Sequence, residues 1–92
     1  MRATRARFGF AGIGRLRTPG DWDALASEAL ADVAACRAAA VAAEDPRRAL
    51  RLVDRMSNAL CAVLDPAELC RSADARPEWR SAAHGAFRRV AG

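Results

Sequence analysis

The chain has 92 residues, a mass of 9.8 kDa and a formal charge of +4. That is room for one small domain or part of a larger one, and a unit this short hides only roughly 60–65 % of its unfolded surface. No run of eighteen apolar residues could span a bilayer and no continuous apolar signal core is present, so a soluble, intracellular protein is expected. Three cysteines, at positions 36, 61 and 70, are an odd number without a paired framework, which points to a reducing compartment.

Apolar residues make up 52 % of the chain and aromatics only 5 %. Much of the apolar share is alanine, which favours helix while adding little burial, so the helices need outside surfaces to pack on. All fifteen basic residues are arginine, which reads as coding bias rather than chemistry. Their placement is more informative. Arg2, Arg5, Arg7, Arg15 and Arg17 give residues 1–20 a charge of +5 with no acid, and residues 21–92 carry −1.

The first 17 residues therefore form a basic N-terminal tail and lead-in. Its acid-free, arginine-rich composition fits the end of an organelle transit peptide, and equally a disordered basic terminus. Residues 18–92 form the helical segment.

Thr18-Pro19-Gly20-Asp21 predicts a helix start, with Thr18 as N-cap, Pro19 in the first turn and Asp21 three residues after the cap. Trp22, Ala26, Ala29, Val33, Cys36 and Ala40 then follow at steps of four and three, one apolar stripe of a helix reaching about Ala43. Asp45-Pro46 ends it and starts another, whose stripe is Ala49, Val53, Met56, Leu60 and Val63, widened by Leu52 and Leu64. So short a connection predicts an antiparallel hairpin.

Asp65-Pro66-Ala67-Glu68 repeats the start signal, with Glu68 where a capping-box acid belongs. The run is expected to bend or restart there, giving a short helix near residues 66–73. After a turn at Asp74-Ala75-Arg76, a last helix starts at Pro77, with Trp79, Ala83, Ala86 and Val90 on one side and Phe87 beside them. Gly85 within it either marks close packing or simply costs about 1 kcal/mol relative to alanine. The expected fold class is all-α: an antiparallel helical hairpin, a short helix and a further helix, as part of a larger helical protein.

Candidate chemistry is thin. The spacings Cys61-x8-Cys70 and Cys70-x13-His84 lack the close ligand pairs of structural zinc sites, and one histidine cannot build a His-Glu-x-x-His helix. Small hydrophobic packing roles suit the three cysteines, and His84 reads as a helix-surface residue. Ser57, Ser72 and Ser81 lack an identifiable base, orienting acid and oxyanion hole. Arg47, Arg51 and Arg55 share a helix face, but with Asp54 beside them and no interleaved aromatic they read as a solvated face. The glycines of FGFAGIG match neither dinucleotide nor phosphate loops. No catalytic, cofactor-binding or metal-ligating residue is assigned.

Assembled, the residues resemble the N-terminal region of the mitochondrial intermediate peptidases, within the zinc metallopeptidase family that includes thimet oligopeptidase. Phe8-Gly9, Leu16, Pro19 and Trp22 are similar to the pattern before that family's first long helix. More specific is Ser57-x-x-Leu60-Cys61-x-Val63-x-Asp65-x-Ala67-Glu68, with Trp79-Arg80 and Ala82-Ala83 downstream. Ala73-Asp74 stands where the family often has His-Pro. The resemblance covers about residues 8–90 but only a small part of the family's length.

It implies a helical outer portion of a two-lobed peptidase with a deep channel for peptides, in the mitochondrial matrix, with plastid or cytoplasm as alternatives. Zinc is implied for the full-length enzyme on residues that this chain lacks, and no cofactor for the chain itself. The implied partner is the catalytic lobe, with peptide substrates reached only through the whole enzyme; neither nucleic acid nor membrane is expected. Trp22, Val33, Val53, Met56, Leu60, Val63, Trp79 and Phe87 are the expected packing surface. The alternative is a free-standing helical module docking a partner helix, and a weaker one is a small basic nucleic-acid binder.

Overall fold

The computed structural model describes residues 13–92. The expectations for Arg2, Arg5, Arg7 and Phe8-Gly9 lie outside the described residues. Three helices follow in order: α1 (Asp21–Ala42), α2 (Pro46–Ala73) and α3 (Pro77–Ala91). The class is all-α, as the periodicity predicts.

α1 starts later than the Thr18 cap implies, because the first turn is tighter than an α-helix. Asp21, Trp22 and Asp23 donate their amides to the carbonyls of Thr18, Pro19 and Gly20 at 3.0, 3.2 and 3.2 Å, an i→i+3 pattern that places Gly20 at the cap. The reciprocal half of a capping box is still present. Asp21 Oδ2 accepts from the amides of Thr18 at 2.8 Å and Arg17 at 2.9 Å. These bonds hold the Asp21 carboxyl below its ordinary value, the Thr18 and Arg17 amides being the main causes.

Asp45 caps α2 as expected, its Oδ1 accepting from the Arg47 amide at 3.0 Å with Pro46 in the first turn. At Asp65-Pro66 expectation and structure part. α2 runs unbroken for 28 residues with Pro66 inside it, so no separate short helix exists at 66–73. The start signal there is overridden because Val63, Ala67 and Cys70, spaced by four and three on either side of the proline, are all buried on one face. Keeping that face in register outweighs the single bond that Pro66 cannot donate. Glu68 does not cap; it accepts from Arg71 Nη2 at 2.6 Å and Ser72 Oγ at 3.1 Å instead.

The Asp74–Arg76 turn is stitched by its own side chains. Asp74 Oδ1 accepts from the Arg76 amide at 2.9 Å, Asp74 Oδ2 from Arg76 Nη2 at 2.7 Å, and the Arg76 guanidinium lies 4.2 Å from the Trp79 ring centre. Arg80 Nη1 adds a bond to the Asp74 carbonyl at 2.9 Å. Chain direction therefore reverses within three residues and α3 returns along α2.

One core unites Leu16, Trp22, Ala26, Val63, Ala67, Cys70, Trp79, Ala83 and Ala86. Of the expected packing residues, Trp22, Val63 and Trp79 are buried, and Val33, Met56, Leu60 and Phe87 are half-buried. Val53 is a correction: it is 51 % exposed, because no third element among the described residues covers that part of the hairpin. Leu16 is fully buried beneath the lead-in turn, where its amide bonds the Ile13 carbonyl at 3.0 Å. The molecule is long, with extents of 49 × 27 × 18 Å and a radius of gyration of 15.1 Å, against about 12 Å for a compact chain of this size.

Candidate functional site

The polar residues singled out by sequence do not converge. Cys36 and Cys70 are buried, as packing roles require, and Cys61 is exposed, which corrects the expectation for that residue. Cys70 donates to the Trp79 carbonyl at 3.5 Å, and burial, then the Asp74 charge, push its thiol above the ordinary range. Among the described residues no three His, Cys, Asp or Glu side chains gather as a metal site. None of the described helices is long and apolar enough to cross a membrane.

His84 is exposed on α3, where its Nδ1 lies 3.4 Å from Arg71 Nη1. Arg71 also stacks 4.2 Å from the Phe87 ring centre, so the contact is a seam between α2 and α3. Ser72 is engaged with Glu68. Arg47, Arg48 and Arg51 are solvent-exposed, and Arg55 Nη2 pairs with Asp32 Oδ1 at 3.1 Å across the hairpin. An open groove of about 480 Å³ is lined by Pro19, Gly20, Asp23, Ala82, Gly85, Ala86 and Arg89. On its wall Arg89 pairs with Asp23 and donates from Nη2 to Ser27 Oγ at 3.0 Å. No Ser, Thr or Cys side chain is among the groove's lining residues, and its one carboxylate, Asp23, is paired with Arg89.

What the arrangement does offer is an uneven hairpin. The flank of α1 through Asp23, Ser27, Leu30, Ala34 and Val41 and the flank of α2 through Leu50, Val53, Ser57, Leu60, Leu64 and Arg71 both turn toward the side occupied by α3. α3 covers only their lower part: Arg89, near its end, reaches Asp23 and Ser27, and Arg71 meets His84 and Phe87. Beyond it, Val41 is 83 % and Leu50 67 % exposed. The opposite flank carries Arg48, Arg51 and the Arg55–Asp32 pair. Sequence periodicity located the stripes that face each other but not this second flank, whose signal was the extra apolar residues Leu30, Val41 and Leu50 outside the main stripes.

No family model matches the chain, and no solved structure matches it. Over 46 residues, half of the chain, it is 44 % identical to a mitochondrial intermediate peptidase of Mycosarcoma maydis. The matched stretch is 5 % of that protein, so the chain spans a small part of the length of the relative it matches. In that stretch the chain is similar to a peptidase.

Proposed function

We propose that this chain is the helical N-terminal part of a zinc metallopeptidase of the mitochondrial intermediate peptidase type, with a structural role. It packs against the catalytic lobe and helps limit entry to the peptide channel. The observation that carries this reading is the 44 % identity over 46 residues. The apolar flank left open on an elongated hairpin supports it, since a helical layer hides such a face against another layer. The zinc and its activating residues belong to the rest of the enzyme, acting in the mitochondrial matrix, and this chain supplies neither a ligand nor a base.

The test is the size of the native product, by immunoblot of cell fractions with an antibody to residues 44–76. A band several times larger than 9.8 kDa in the mitochondrial fraction is expected. A band only near 9.8 kDa overturns the reading.

A second reading, a free-standing helical interaction module, is favoured by one observation: the core from Leu16 to Ala86 is contiguous and involves all three helices. Thermal melting by circular dichroism separates the two. The module unfolds in a single cooperative transition, and the orphaned part of an enzyme melts without one.

A further inference from the structure

We propose that the upper half of the hairpin's apolar flank is a seat for a fourth helix, supplied by the same polypeptide and lying in line with α3. The inference rests on the peptidase reading and names the surface by which this part joins the rest.

The seat continues an interface that already exists. α3 lies between the flanks of α1 and α2, and the same two flanks run on past its end for about 12 residues, or about 18 Å of helix. There the α1 side is walled by Ala34 and Ala38 and the α2 side by Leu50 and Val53, with Val41 near the far end; all five are exposed. Alanine walls admit a helix backbone at close range, and the ridge of larger side chains on α2 fixes its register. The occupant is thus a helix of about three turns with a narrow apolar face. Arg37, exposed and set between Val33 and Val41 within the seat itself, has no ion pair among the described residues, so an acidic residue on the occupant's buried face completes the match.

Area decides where that helix comes from. A flank about 18 Å long and two helices wide offers about 350 Å² per side, well short of the roughly 800 Å² per partner of a stable complex between separate chains. A tethered helix needs far less, because linkage replaces a bimolecular encounter by a high local concentration. A second copy of this chain would meet the same shortage.

The test places a photo-crosslinking amino acid at Val41 or Val53, and at Arg51 on the opposite flank as control, in the native product within cells. Its size on a gel and the crosslinked peptides are read together. Expected is a product larger than 9.8 kDa in which Val41 and Val53 both capture positions of one helix of the same polypeptide, spaced as on a single helix face, and Arg51 captures none. Val53→Arg is then expected to lower capture from Val41 by about tenfold or more, the effect of a charge placed in an apolar seat. In the same native product its helical content by far-ultraviolet circular dichroism is unchanged, because Val53 lies outside the three-helix core. A large product that shows no internal capture, or capture of a second copy, overturns the seat and leaves the peptidase reading standing. A product near 9.8 kDa overturns that reading, and the tethered occupant with it.

Discussion

Asp21 illustrates how a residue forecast for one role can fill it in an altered frame. Its carboxylate gathers the Thr18 and Arg17 amides at the entrance to α1, and those bonds hold its pKa below the ordinary 3.8. A depressed folded-state value means stabilisation that is complete above the unfolded value and lost as pH falls through the folded one. The melting temperature should therefore decline as pH falls from about 5 to 2, and Asp21→Asn should flatten part of that decline. At the same scale the cysteines sort by burial. Iodoacetamide should label Cys61 in the folded protein, and Cys36 and Cys70 only as it opens, as mass spectrometry of timed samples would reveal. The expectation of packing roles for all three rested on the small apolar character of cysteine, but whether a neighbouring helix reaches each one depends on packing, and none of the described helices buries Cys61.

At the scale of elements, α2 holds the main disagreement between local signal and fold. Asp65-Pro66 carries every mark of a helix start, yet the buried positions 63, 67 and 70 demand one continuous helix. Pro66 thus sits where it removes a bond to the Ala62 carbonyl and crowds it. Pro66→Ala should stabilise the protein by about 1–3 kcal/mol, read from urea unfolding. Gly85 settles in the opposite direction from the close-packing expectation, since a Cβ there would meet nothing within 4 Å. Gly85→Ala should add about 1 kcal/mol in the same assay.

For the whole molecule, the decisive feature is that α3 is shorter than the hairpin it packs on. Among the described residues, the base is a three-helix core holding Leu16, Trp22, Val63 and Trp79, and the top is two helices sharing one seam. Local stability should follow that division. Hydrogen exchange is expected to be faster by about tenfold or more for amides of residues 34–57 than for those of 22–29 and 63–70, a gap of about 1.4 kcal/mol. Binding of a helix to the open flank would slow the first group selectively.

The sequence by itself determined the helical class, the Asp45-Pro46 and Pro77 starts, the reversal at Asp74–Arg76, the stripes that face each other, and the resemblance to a peptidase. All of these are written in local chemistry: caps, prolines and a three-to-four periodicity that acts within a few residues. Only the tertiary structure decided that α2 passes through Pro66, that Leu16 is core, that Val53 and Cys61 are exposed, and that one flank is left half covered. Those outcomes depend on how far α3 extends along its neighbours, which is set by helix lengths and crossing geometry across the molecule and leaves no mark in any single short segment.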